Sequence, residues 1–231
     1  MGVRKIGMTW IAIVLLVLLF LAAVLFLARP SGASESVAAE NSLSEVAETW
    51  PSDPIGQELE FWKIIQETSS ISSNQEVQSS ALRNILKKSH PEDIKKFIGV
   101  FDRLMYKTYS WNLWGAAYTI HGGASDDSFE DFRKWLISRG REFFNGAVEN
   151  PDRLADLIES NYQGDASFEE FSYIPLEVWI QKTGKQHADL PKAKDSLYPP
   201  EPFGEPFDED VLYLKQRYPN LWKRFGEHPL G

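Results

Sequence analysis

An uninterrupted run of uncharged residues near the N-terminus constrains this chain more than any other feature. Residues 8–28 read MTWIAIVLLVLLFLAAVLFLA and contain no charged side chain. At a rise of about 1.5 Å per residue, a helix of this length crosses a hydrocarbon core about 30 Å thick. The run predicts a transmembrane helix that follows a short N-terminal stretch, residues 1–7. A cleaved signal peptide is the alternative, since SGA precedes Ser34, but the run exceeds the ~7–15 residues of a typical signal-peptide core.

The basic residues that flank this run predict its orientation. Arg4 and Lys5 precede the run, and Arg29 is the only basic residue between it and Lys63. Because basic residues stay on the cytoplasmic side of a membrane, the N-terminus is expected in the cytoplasm. The rest of the chain then lies outside the cytoplasm, on the periplasmic side of the cell membrane, attached by a single span.

The segment after the run, residues 29–54, is rich in Ser, Ala and Glu and lacks regular apolar spacing, which is typical of a solvated tether. The whole chain has a formal net charge of −9. The first thirty residues carry three basic groups and no acidic group, so the remainder has a net charge of −12. This charge argues against a nucleic acid as partner and leaves a protein partner open.

Helical periodicity dominates the chain from residue 55 to residue 184. Asp53 followed by Pro54 is typical of a helix start, and no stretch alternates polar and apolar residues as a strand does. One apolar stripe is especially regular and comprises Ile94, Phe97, Ile98, Phe101, Leu104 and Met105. The sequence therefore predicts an all-α fold with a compact multi-helix domain over residues 55–184.

The segment WNLWGAAYTI, residues 111–120, is apolar on nearly every side, which predicts a central helix surrounded by others. Trp111, Trp114 and Tyr118 share one face of this helix. A ligand-binding groove at these three aromatic residues is one interpretation, but aromatic pairs at helical spacing more often belong to a core. The small residues Gly115 to Ala117 would let a neighbouring element approach closely.

The next segment, HGGASDDSFEDFRKWL, concentrates polar residues that could act in catalysis. The candidates are His121, Asp126, Asp127, Glu130 and Arg133. A structural interpretation also accounts for them: glycines end one helix, Ser125 caps the next, both aspartates lie in its first turn, and Glu130 pairs with Lys134 one turn on. We favour this second interpretation. No metal site and no cofactor are predicted, and the absence of cysteine excludes thiolate zinc sites and a cysteine nucleophile.

The last region, residues 185–231, is rich in proline, which prevents regular structure over much of it. It is nevertheless too apolar for a free tail, because it contains Phe203, Phe207, Tyr213, Leu214, Leu221 and Trp222. We expect this C-terminal extension to pack over the helical domain. A proline-rich ligand for another domain is the alternative.

Three stretches together resemble a known family. They are WNLWGAAYTIHGGASDDSFEDFRKWLISRGREFF, then ENPDRLAD, and finally PFGEPFDED with YPNLW. This pattern resembles the bacterial domain of unknown function numbered 4240, over about residues 58–225. The resemblance implies a helical domain of bacterial origin with no assigned biochemical role and no catalytic residues to transfer. Members generally look soluble and cytoplasmic, and the hydrophobic N-terminus departs from that pattern.

Two classes of function follow from these patterns. The favoured one is a membrane-tethered binding or accessory module, anchored through residues 8–28. The alternative is a hydrolase or metal-dependent enzyme that uses His121, Asp126, Asp127 and Glu130. The sequence lacks the GxSxG, HExxH, phosphate-loop and dinucleotide-binding signatures that would favour an enzyme.

Overall fold

The structure is a computed structural model, and it describes residues 54–72, 74–190 and 199–230. All of them belong to the unit Thr49–Gly231, the second of two into which the chain divides. The predicted transmembrane helix, residues 8–28, lies outside the described residues, as does nearly all of the predicted tether. Of the helices that the structure describes, none is both long and apolar enough to span a bilayer.

The described residues form α-helices joined by turns and loops, and no named strand occurs among them, which confirms the all-α fold class. The helices are α1 (Pro54–Ile71), α2 (Gln75–Lys88), α3 (Pro91–Lys107), α4 (Trp111–His121), α5 (Asp126–Ser138), α6 (Arg141–Glu149), α7 (Leu154–Leu157), α8 (Tyr173–Thr183), α9 (Val211–Arg217) and α10 (Pro219–Phe225). Short 3₁₀ helices cover Pro151–Arg153, Glu169–Ser172 and His187–Asp189.

The predicted apolar stripe of α3 lies in the core. Its members are buried except Ile98, which is half-buried and packs against the core. The α5 side chains Phe129, Phe132, Trp135 and Leu136 are also fully buried, as their helical spacing predicts. Burial of large aromatic and aliphatic side chains from several helices gives the domain one continuous core.

Local sequence signals locate the end of α4 and the start of α5 correctly. Ser125 caps α5, and its Oγ accepts a hydrogen bond from the Ser128 backbone N–H at 3.3 Å. Gly122 ends α4 with φ of 72°, a conformation that glycine adopts without strain. Residues 167–170, SFEE, match the capping-box pattern and predict a helix that Ser167 caps, and this prediction is wrong. A 3₁₀ helix intervenes, and α8 begins at Tyr173, which places Pro175 in its first turn, where no intrahelical N–H bond is lost.

The C-terminal extension packs over the helical domain, as the sequence predicts. The Tyr218 hydroxyl donates a hydrogen bond of 2.8 Å to the carbonyl of Asn112 in α4. Gly115 permits this approach, since a Cβ there would lie 2.5 Å from the Tyr218 hydroxyl and 2.9 Å from the Phe207 ring. Farther along, the Leu230 N–H donates to the Ile120 carbonyl at 2.8 Å.

A buried carboxylate fixes the last helix. Asp152 follows α6, and its Oδ1 accepts hydrogen bonds from the backbone N–H groups of Asn220 at 3.0 Å and Leu221 at 2.9 Å. These N–H groups lie at the start of α10, where they have no partner within the helix. Asp152 therefore ties the N-terminus of α10 to the body of the domain.

Candidate functional site

The polar residues of the motif HGGASDDSFEDFRKWL, which runs from the end of α4 into α5, have different surroundings in the structure. Asp126 and Asp127 are exposed in the first turn of α5, beside the cap made by Ser125. Carboxylates at this position are stabilised by the unpaired N–H groups and by the positive end of the helix dipole. The double aspartate therefore stabilises the start of the helix.

Glu130 contributes to a charge cluster with Lys134, as its spacing predicts. The Lys134 ammonium is buried and lies 2.9 Å from a carboxylate oxygen of Glu130 and 2.9 Å from one of Asp131. Burial acts to lower the pKa of Lys134, but hydrogen bonds to the two carboxylates outweigh it, and the pKa is raised above its ordinary value. Glu130 thus compensates a buried charge.

His121 faces a different part of the chain. Burial lowers the pKa of its imidazole, while backbone groups of Asp165 and Ala166 and the Asp165 carboxylate act in the opposite direction. The imidazole also meets the Phe132 ring edge to face, at 5.7 Å between centroids. The groups that act on the pKa of His121 therefore belong to the loop of Asp165 and Ala166, which is distant in sequence from the two aspartates.

Arg133 is held inside the domain. Its side chain is 3 % exposed, and Nη1 donates a hydrogen bond of 2.9 Å to the carbonyl of Met105. The guanidinium also lies over the rings of Tyr109 at 5.0 Å and Phe129 at 4.9 Å. Arg133 therefore joins α3 to α5 from within the core. Across the described ranges, no set of three His, Asp or Glu side chains is arranged to hold a metal ion.

The aromatic face of α4 is filled by the chain itself. Trp111 and Trp114 stack at 5.2 Å between centroids, and both are half-buried, so α4 is less completely surrounded than its composition predicts. Phe207 of the extension contacts the rings of Trp111 at 6.2 Å and Tyr118 at 5.5 Å. The Tyr118 hydroxyl donates a 3.1 Å hydrogen bond to the Glu209 carboxylate. The extension therefore occupies the face where the sequence allows a ligand groove.

In contrast to the aromatic face of α4, a recess on α9 and α10 is not covered by another part of the described chain. It has a volume of about 300 Å³ and is lined by Lys215, Trp222, Lys223, Arg224, Glu227 and His228. We call it the basic recess, because three of its six residues are lysine or arginine. Sequence reasoning did not identify it. The available signal was the charge reversal in residues 211–230, which carry four basic residues and one acidic residue in a chain that is acidic overall.

The wall of the basic recess is held in place by contacts with the domain. Arg224 Nη1 donates hydrogen bonds of 2.5 Å to the carbonyls of Ala155 and Ile158, and Nη2 donates one of 2.7 Å to the backbone carbonyl of Glu159. The Lys215 ammonium lies 5.4 Å from the centroid of the Trp222 ring, within the range of a cation–π interaction. The basic recess therefore combines a guanidinium that is held by backbone carbonyls with a lysine ammonium that lies over the Trp222 indole.

Comparison with protein families identifies a matching family model. The family described as a protein of unknown function, DUF4240, matches residues 57–181, which is more than half of the chain. The chain belongs to this family. The DUF4240 match begins in α1 and ends in α8, so it includes the polar motif and the aromatic face, whereas the basic recess follows it. Searches of curated proteins and of solved structures found no match.

Proposed function

We propose that this DUF4240 protein is a membrane-tethered binding module that recognises a partner and does not catalyse a reaction. Residues 8–28 would anchor it in the cell membrane, with the helical domain on the periplasmic side. The support for anchoring is the uncharged run and the two basic residues, Arg4 and Lys5, that precede it.

One observation carries the choice of binding over catalysis. The five candidate catalytic residues lie in different surroundings. His121, Glu130 and Arg133 each have a different partner, and both aspartates are exposed in the first turn of α5. His121 faces Asp165 and Ala166, while Glu130 pairs with Lys134. Acid–base or metal chemistry needs such groups to converge on one reacting atom. Their different surroundings favour a role in stability.

Divalent-ion binding tests this proposal against the enzyme alternative. We expect calorimetric titration with Mg²⁺, Mn²⁺, Ca²⁺ or Zn²⁺ to give no micromolar binding in the wild type. The double substitution Asp126→Asn and Asp127→Asn should lower the free energy of unfolding by about 0.3–1 kcal/mol for each residue, because the helix start loses two favourable charges. Asp156→Asn, on an exposed residue of α7, is the control for a general loss of charge.

A different result would favour the enzyme. Micromolar binding of a divalent ion in the wild type that vanishes in the double variant, but persists in Asp156→Asn, would show that the aspartates are ligands. The hydrolase or metal-dependent enzyme that uses His121, Asp126, Asp127 and Glu130 would then replace the binding module.

A further inference from the structure

We propose that the basic recess binds a small ligand through a phosphate group, either the free ion or a phosphate monoester. This inference rests on the proposed binding function, to which it adds a ligand class. It is independent of the membrane anchor, because every residue that it uses lies in α9, in α10 or in the turn that follows α10.

The first argument is that the two lysines of the basic recess, one on α9 and one on α10, have no carboxylate partner in the part of the chain that the structure describes. Some lysines, such as Lys95 and Lys96, form an ion pair with a carboxylate one turn away, and others, such as Lys185, form none among the described residues. Lys215 and Lys223 are exposed and form no ion pair with any residue that the structure describes. The helix dipole by itself favours basic residues in the last turns of α9 and α10. It does not explain why the basic residues of both helices line the same recess.

The second argument is the match of charge and size. A phosphate monoester carries a charge of about −1.5 to −2 at pH 7, which two ammonium groups can balance. Lysine binds phosphate as a mobile point charge with three donors. A volume of about 300 Å³ is at the lower end of the range for ligand pockets, so the recess suits a small group and not a polymer.

The third argument is that the recess is formed before a ligand arrives. The donors of Arg224 are bound to three carbonyls, so its guanidinium supplies a fixed positive potential beside the lysines. Gly226 lies against the indole of Trp222, and a Cβ at this position would approach the ring to 2.5 Å. Ordered surroundings reduce the entropy that binding must overcome. The lysines and His228 remain available to donate to an anion.

Removal of the Glu227 charge and removal of the lysine charges should change the affinity for phosphate in opposite directions. Glu227 also lines the basic recess, and a carboxylate there repels an anion. Removing this charge should strengthen phosphate binding, whereas removing the lysine charges should weaken it. An attraction that depended only on the net charge of the protein would not distinguish lysines in the recess from lysines elsewhere.

The test is calorimetric titration of the purified full-length chain, held in nonionic detergent at low ionic strength. The probes are inorganic phosphate and glycerol 3-phosphate, with glycerol as the neutral comparison. We expect saturable binding of phosphate, weakened about fivefold or more by Lys215→Gln with Lys223→Gln and strengthened by Glu227→Gln. The matched control is Lys185→Gln, an exposed lysine outside the recess, which should leave affinity unchanged. Circular dichroism verifies that each variant is folded.

Two outcomes would overturn the proposal: no saturable phosphate binding, or an equal loss of affinity in Lys185→Gln. Tighter binding of glycerol 3-phosphate than of inorganic phosphate would identify a monoester as the ligand, and equal binding would identify the free ion. Failure of the proposed function is recognised separately, because divalent-ion binding at Asp126 and Asp127 does not involve the basic recess.

Discussion

At the scale of single residues, three buried charged side chains have partners in nearby parts of the chain. Arg133 donates to a backbone carbonyl, Lys134 meets two carboxylates, and Asp152 accepts from two backbone N–H groups. An unpaired buried charge costs several kcal/mol, so such partners are required for burial. These residues therefore explain stability, and their polarity does not by itself indicate a catalytic site.

Asp102 on α3 is a different case, because burial raises the pKa of its carboxyl to about 6 from 3.8, despite the nearby charges of His187 and Arg103. At pH values between about 4 and about 6, the folded chain therefore binds more protons at Asp102 than the unfolded chain does. The free energy of unfolding therefore falls as the pH rises from about 4 to about 6, and it stays lower above that range.

The substitution Asp102→Asn should remove this pH dependence. We expect it to raise the free energy of unfolding at pH 7 by about 1 kcal/mol, with little change at pH 4, since partial exposure screens the effect. Urea denaturation at a series of pH values measures this difference, with Asp156→Asn as the control. A loss of stability in Asp102→Asn at pH 7 would contradict the raised pKa of Asp102.

The polar motif shows which residue roles can be predicted from sequence. Ser125, the two aspartates that follow it and the Glu130–Lys134 pair act within one helix, so their spacing predicts their contacts. The surroundings of His121 depend on Asp165 and Ala166, which lie in a distant loop. A single sequence carries no local signal for that contact.

At the scale of elements, the contact between α4 and the C-terminal extension organises one side of the domain. Close approach at Gly115 lets Tyr218 and Phe207 cover the helix. The composition of both segments predicts this packing, because apolar residues in a proline-rich region need a surface to bury them. The basic recess could not be predicted in the same way, since the convergence of α9 and α10 depends on the tertiary fold.

Substitution of Gly115 by alanine should weaken this contact. The added Cβ would overlap the Tyr218 hydroxyl, and overpacking of this kind costs about 1–3 kcal/mol. The matched control is Gly99→Ala in α3, where a Cβ meets nothing within 4 Å. That control should stabilise the chain by about 0.5–1 kcal/mol, because alanine favours a helix over glycine. Equal effects of the two substitutions in urea denaturation would refute close packing at Gly115.

The cap that Asp152 provides for α10 can be tested in the same assay. Asp152→Ala leaves the N–H groups of Asn220 and Leu221 without their acceptor, which should cost about 1–3 kcal/mol. Asp156→Ala removes an exposed carboxylate nearby in sequence and should change stability by less than about 0.5 kcal/mol. A similar loss in both variants would mean that the cap contributes little.

At the scale of the whole molecule, the family match and the all-α structure agree with the sequence analysis in fold class. The match to DUF4240 covers residues 57–181, a shorter range than the resemblance indicates, and it assigns no activity. Helical periodicity was sufficient to predict the fold class, because it recurs in nearly every segment. The domain boundaries at residues 7, 28, 54 and 184 and the transmembrane helix stay predictions.

The central claim is that residues 8–28 hold a binding domain outside the cytoplasm, and a topology reporter tests it most directly. A reporter enzyme that is active only after export is fused to the C-terminus of the full chain, and its activity is measured in membrane and soluble fractions. Substituting aspartate for two leucines within residues 8–28 provides a control in which insertion is prevented. We predict activity in the membrane fraction for the wild type and none for the control. A silent wild-type fusion would contradict the orientation, and activity released into the soluble fraction after cleavage would contradict the anchor.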